Sequence, residues 1–242
     1  MICVDASSAH TASALAGKTI VVTGASGHVG WGIALAALDA GANVVLPVRS
    51  EASRAEVERD HGNSRAFVPT VDFRDERSLA GMHDATVQQF GGVAHVITPL
   101  GSCWQKGSSL DQPGSEMSDL LSAYVEAQWL LVKTFAPALR QSQGTYTFIT
   151  SAAGEADYIS GAGLLVVAAK AQLALSAVLR RELADEPFRV NEVRISRRIE
   201  RAHRPGVIPA RVAGAALLKA ITISVTGRLL RYDGSQLMLE DE

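Results

Sequence analysis

Thr23-Gly24-Ala25-Ser26-Gly27-His28-Val29-Gly30 joins the apolar run 19–23 directly to an Ala/Leu-rich stretch of helical period over about 29–40. A strand that passes through glycines into a helix has one recurrent use. Glycine permits the tight turn, lets backbone approach a pyrophosphate and lets the helix pack close to its strand. The helix N-terminus then offers unpaired N–H groups and a positive dipole end to the anion. Gly24, Ser26, Gly27, His28, Val29 and Gly30 are therefore the candidate phosphate-side contacts.

Outward from this turn, short β-rich runs alternate with longer helical patterns. The runs 19–23, 43–48, 66–71, 94–98, 146–150, 189–195 and 228–232 read as strands. Helical periodicity occupies about 29–40, 51–61, 75–90, 116–141, 164–184 and 209–220. This alternation predicts an α/β fold: one Rossmann-like, doubly wound parallel sheet of about seven strands with helices on both faces. Residues 18–242 form the single domain and residues 1–17 a partly flexible leader.

The length of 242 residues suits one such domain, and 23 Lys+Arg against 25 Asp+Glu leave a net charge of only −2. That balance gives no bulk attraction to nucleic acid or an anionic membrane. Cys3 and Cys103 lie far apart without metal-ligand spacing, which argues against a disulfide framework or a metal site and fits a reducing, cytoplasmic setting. The longest apolar segment, 164–179, is interrupted by Lys170 and Gln172, so no membrane span is expected. It is apolar around most of its circumference, whereas a sheet covers one side only. A second copy of the chain, in a homodimer or homotetramer, is the expected cover, with burial inside one chain as the alternative.

The chain resembles the short-chain dehydrogenase/reductase family over roughly residues 18–234. Thr23, Gly24 and Gly30 match the family's Thr-Gly-x-x-x-Gly-x-Gly turn, with His28 at the middle glycine; Gly27 instead satisfies the Thr-Gly-x-x-Gly-x-x-Gly spacing of extended and atypical branches. Asp72 matches the adenine-contacting aspartate after the third strand, and Val225-Thr226-Gly227 and Tyr232-Asp233-Gly234 resemble the family's closing strand and turn. The resemblance implies a nicotinamide cofactor. The second strand ends in Val48-Arg49-Ser50, with no acid where an NAD ribose would be gripped. A guanidinium and a hydroxyl there suit the 2′-phosphate of NADP(H), the alternative being a solvated arginine.

The family's reaction uses a tyrosine as proton donor, a lysine four residues later, a serine that holds the substrate oxygen and a supporting asparagine. Ser151 matches the serine and Lys170 the lysine, which also joins the cofactor-binding set, but Val166 stands at the tyrosine's position and Tyr124 at the asparagine's. Valine donates no proton. Tyr124 and Tyr158 are the candidate replacements, each with ordinary packing or surface exposure as its alternative. Ile97-Thr98-Pro99-Leu100-Gly101 replaces the family's Asn-Asn-Ala-Gly, and Arg194-Ile195-Ser196 its Pro-Gly turn. Cys103 and Trp104 are placed to line a substrate pocket or to serve as core.

Arg194, Arg197, Arg198, Arg201, His203 and Arg204 cluster with Glu200 as their one acid, in a substrate lobe that is short for the family. An anionic small-molecule substrate or the cofactor's phosphates could use them; a solvated basic loop is the alternative, and nucleic acid is not expected because aromatic residues do not interleave. The expected function is an NADP(H)-dependent oxidoreductase of small carbonyls or alcohols with a modified proton relay. Its rivals are a nucleotide-binding sensor or scaffold without turnover, and a lyase, isomerase or cyclase on the same scaffold.

Overall fold

The computed structural model describes residues 2–3, 8–101, 104–202 and 204–240, with backbone alone for 2–3 and 8–10. Along the chain run β1 (Ile2–Cys3), α1 (Ser8–Leu15), β2 (Thr19–Val22), α2 (His28–Asp39), β3 (Asn43–Val45) and α3 (Glu51–His61). They continue with β4 (Ala66–Phe67), α4 (Glu76–Phe90), β5 (His95–Thr98), α5 (Gly114–Leu121), α6 (Ala127–Ser142), β6 (Thr145–Ser151) and α7 (Gly163–Glu182). Then come β7 (Arg189–Ile195), β8 (Ile199–Glu200), β9 (Ile208–Pro209), α8 (Ala210–Leu218), β10 (Leu229–Tyr232) and β11 (Leu237–Leu239).

Among the described residues the main sheet is ordered β1-β11-β10-β7-β6-β5-β2-β3-β4. The seven strands from β10 to β4 pair in parallel and are those the sequence predicts; β11 and β1 add an antiparallel edge. The order reverses between β2 and β5, so their carboxyl ends open a crevice at the switch point, where such sheets bind ligands. The expected leader contributes a helix, α1, and strand β1.

Side chains alternate across the sheet. Ile20 and Val22 of β2 pack with Ile33, Ala34, Ala37 and Leu217 on one face, beneath α2 and α8. Val21 joins Leu79, Leu131, Phe135 and Phe148 on the other, beneath α4 and α6. Helices α2 and α8 cross with almost no side chain between them: a Cβ on Gly32 would lie 2.0 Å from the Ala210 carbonyl oxygen, and one on Gly214 2.0 Å from that of Gly32.

Three elements depart from the sequence reading. The expected strands 43–48 and 66–71 are shortened because Pro47 and Pro69 bring no N–H to the ladder, which resumes at a single Val48–Thr70 bridge. The expected helix 116–141 is divided by a π-helical turn, Ser122–Glu126, spanned by a 2.6 Å hydrogen bond from the Ser122 hydroxyl to Glu126. Helix α7 is long and apolar enough to cross a membrane by length and composition, yet its inner face is built into the fold. Gln172 donates to Leu100 O at 2.9 Å and Ser176 to the Glu192 carboxylate at 2.9 Å.

Candidate active site

The glycine-rich turn leaves β2 with Gly24 at φ +63°, a left-handed conformation; a Cβ there would also lie 2.7 Å from Pro99 O. Gly27 N–H closes on Gly24 O at 2.8 Å and Gly27 then caps α2 without any side-chain acceptor. The first N–H groups of α2, at His28, Val29 and Gly30, have no intrahelical partner by geometry. Gly30 is held against the turn, since a Cβ would come 2.3 Å from Gly24 O. Uncapped donors and glycines at 24, 27 and 30 fit a pyrophosphate. His28 does not close the turn: its Nδ1 accepts the Arg201 backbone N–H at 3.2 Å.

At the adenosine end, Arg49 is exposed after β3. Ser50 caps α3, its hydroxyl accepting the Ser53 N–H at 3.2 Å. The neighbouring acid, Glu51, is taken up by the Thr70 hydroxyl and by Arg54. Asp72 lies in the turn before α4 and accepts the Arg74 N–H at 3.0 Å, with Arg74 Nε 3.7 Å away.

Ser151 ends β6, exposed, and its Oγ accepts the Ala153 N–H at 3.1 Å, which leaves the hydroxyl proton free for another acceptor. The 3₁₀ turn after it, Ala152–Gly154, seats against α7: a Cβ on Gly154 would meet Ala169 O at 2.8 Å, one residue from Lys170. Lys170 Nζ stands 4.0 Å from Asp157, and Tyr158, the next residue, is 71% exposed. Val166 is buried at 4%. Tyr124, carried by the π-helical turn, is buried at 4% against Gly101, whose Cβ would lie 3.1 Å from the phenol oxygen. Thus Ser151 and Lys170 sit on adjoining elements, while the two tyrosines occupy opposite environments.

Around Tyr124 the packing is apolar. Trp104, Leu120, Tyr124 and Ala168 form a buried cluster with Ala153 and Ile159 against it. Trp104 Nε1 donates to Glu116 at 2.6 Å, and Lys106 and Trp104 together hold that carboxyl below its usual range. Cys103 lies outside the described residues.

Four arginines of the cluster are paired with acids, some neighbouring in sequence and some distant. Arg194 meets Glu192 at 2.7 Å and Glu155 at 2.6 Å; Arg198 and Arg204 reach Glu200; Arg201 reaches Glu56 and Asp60. His203 lies outside the described residues. Glu192, fully buried, also accepts the Thr150 hydroxyl at 2.6 Å. Hydrogen bonds from Arg231, then Arg194, hold the Glu155 carboxyl down to about 2. Four residues after Ser151, Glu155 ties that turn to the ends of β7 and β10 through these arginines. The sequence reading did not include Glu155 or Glu192. A lone acid inside the strand Val190-Asn191-Glu192-Val193 was the available signal, since an unpaired buried carboxylate is too costly to keep.

The family described as enoyl-(acyl carrier protein) reductase matches residues 24–196. The chain is 31% identical over 140 residues to an L-fucose dehydrogenase of Mus musculus, covering 57% of this chain and 50% of that protein. It is 26% identical over 138 residues to the Homo sapiens hydroxysteroid dehydrogenase-like protein 2, covering 53% of this chain and 33% of the other. The matches thus span a third to a half of these curated relatives. A dehydrogenase/reductase from Sinorhizobium meliloti superposes with TM-score 0.78 at 22% identity, covering 93% of this chain and 96% of that one. A short-chain dehydrogenase from Streptomyces avermitilis superposes at 0.75 and 22%, covering 90% and 89%. With the turn, the strand order and a family match across most of the crevice-forming elements, the chain belongs to the short-chain dehydrogenase/reductase family.

Proposed function

We propose that the protein is an NADP(H)-dependent oxidoreductase acting on a small carbonyl or alcohol through an altered proton relay. The observation that carries this reading is the glycine-rich turn, close-packed at Gly24 and Gly30 and without a side-chain cap at Gly27, at the N-terminus of α2 within the switch-point crevice. The cofactor, when bound, supplies or accepts the hydride. Gly24 to Gly30 and the first turn of α2 bind its pyrophosphate, Asp72 its adenine, and Arg49 with Ser50 its 2′-phosphate. Ser151 holds the substrate oxygen with its free hydroxyl proton, and Lys170 contributes positive charge beside it.

With Val166 unable to donate, Tyr124 is assigned the proton transfer, because burial and contact with Gly101 fix its hydroxyl. Tyr158 has one observation in its favour, since it adjoins Asp157, the ion partner of Lys170. A sensor without turnover is the second reading, favoured by the buried Val166. The paired arginines support an uncharged substrate over an anionic one. The protein acts as a homodimer or homotetramer through the outer face of α6 and α7.

Calorimetric titration of both cofactors tests the assignment. NADPH binds more tightly than NADH, and Arg49→Ala removes about one to two decades of the preference, the worth of a charge-assisted contact. Equal affinities, or a preference untouched by Arg49→Ala, would defeat it.

A further inference from the structure

Arg201, just after β8, touches three elements at once. One guanidinium nitrogen, Nη1, lies 2.8 Å from Glu56 and 3.3 Å from Asp60 on α3. The other, Nη2, donates to Ser26 O at 2.7 Å and reaches Ala25 O at 3.4 Å, both in the glycine-rich turn. The guanidinium carbon stands 5.5 Å from the centre of the Trp31 ring on α2, and Trp31 Nε1 donates to Asp60 at 3.0 Å. The backbone N–H of the same residue donates to His28 Nδ1.

The geometry points to Arg201 as the positioning residue of the dinucleotide site, acting through the glycine-rich turn without touching the cofactor. The planar fork of a guanidinium explains the choice of side chain. One edge is fixed by two carboxylates while another reaches two carbonyl oxygens, a division that a lysine's point charge cannot reproduce. In a trans peptide the N–H leaves from the edge opposite the C=O. Holding Ala25 O toward Arg201 therefore aims the Ser26 N–H away from it, and Gly27 N–H is already committed to Gly24 O. The Ala25 and Ser26 carbonyls are thus held on the Arg201 side and the Ser26 N–H is directed to the other, the polarity an anion requires.

The same contacts account for His28. A side chain stands at the family's middle glycine position, where the approach to the phosphates is closest, and its ring is drawn to the Arg201 N–H. His28 and Arg201 thus form a unit that keeps the turn open. The inferred role is not phosphate binding, because the donors described for Arg201 are spent within the chain.

This inference rests on the dinucleotide reading, and the experiment separates the two. NADPH is titrated into the wild-type protein and Arg201→Gln at a temperature where melting curves show both fully folded. The expected result is that Arg201→Gln binds NADPH at least about fivefold more weakly, a loss of roughly 1 kcal/mol by the affinity relation. A merely structural arginine would lower the melting temperature and leave the Kd of folded molecules unchanged. Should Arg201→Gln not fold, Arg201→Lys, which keeps the charge beside Glu56 and Asp60, carries the same threshold. Wild-type binding with less than that change in the folded variant overturns the role of Arg201. Absence of NADPH binding by the wild-type protein overturns the dinucleotide reading, and this inference falls with it.

Discussion

At position 166 a side chain of three carbons stands where the family carries a phenol, and two consequences follow from its 4% exposure on the inner side of α7. Val166→Tyr restores a donor one helical turn before Lys170, on the same face. General acid catalysis contributes about 10²- to 10⁴-fold, so turnover of family carbonyl substrates, followed as NADPH oxidation, should rise within that range. The larger ring also overfills a closed site, at about 1–3 kcal/mol of stability. Brisk turnover by the unaltered chain would show that another group already performs the transfer; Tyr124→Phe should then abolish it, with Tyr158→Phe the weaker of the two. His95, in β5, provides a pH signature. Burial, then Arg189 and Lys18, pulls its pKa down to about 4 from 6.5. Above pH 6.5 both folded and unfolded chains hold it neutral, whereas below that value only the unfolded chain gains the proton. Stability should therefore fall between about pH 6.5 and 4, by ~3 kcal/mol from this residue. Urea unfolding of His95→Val across that range should show a shallower loss than the wild-type chain.

Among the elements, the α2–α8 pair is the most exacting. Both helices carry glycine at their closest approach, and each missing Cβ is replaced by a carbonyl oxygen of the other helix. A methyl group at 2.0 Å from Ala210 O cannot be accommodated by rotating a side chain, because the neighbour is backbone. Gly32→Ala should force the helices apart and cost at least about 1–3 kcal/mol, against the small gain in helix propensity that alanine offers. A thermal melt of the variant checks this, and an unchanged melting temperature would mean the helices slide freely. Since the glycine-rich turn leads into α2 about one helical turn before Gly32, the same variant should also weaken NADPH binding. The π-helical turn in front of α6 is the second decisive element, because it sets the face on which Tyr124 meets Gly101.

For the whole molecule, the unpaired surface is an apolar strip shared by α6 and α7. Val167, Ala171, Leu175 and Val178 follow helical spacing along α7, and Trp129 of α6, 47% exposed, faces outward. Beside this strip lies a groove of about 750 Å³ with an apolar side of Leu121, Val125, Trp129, Ala171 and Leu175 and a polar rim that includes Arg74, Asp119 and Glu126. Val178, half exposed, lies in line with it, an arrangement suited to a twofold helix-on-helix contact. Trp129→Glu combined with Val178→Glu should convert the proposed dimer or tetramer to monomer in light scattering. A wild-type chain that is monomeric at micromolar concentration would remove the proposal.

The sequence by itself determined the seven parallel strands, their alternation with helices and the glycine-rich turn, because strand period, helix period and glycine punctuation are local signals. The resemblance to the family pointed to Ser151, Lys170 and the valine at position 166, which the fold carries at the end of β6 and along α7. Strand β11 was not legible: Leu237–Leu239 is three residues long and is held by its neighbours β10 and β1 more than by any pattern of its own. The arginine cluster shows the limit most plainly. Arg194 and Arg201 read as one basic stretch, but beside Glu192 in the same strand they meet acids 39 and 145 residues away along the chain, Glu155 and Glu56. That pairing arises only in the folded chain, because an ion pair is set by distance in space, and so does the contact of Arg201 with the glycine-rich turn.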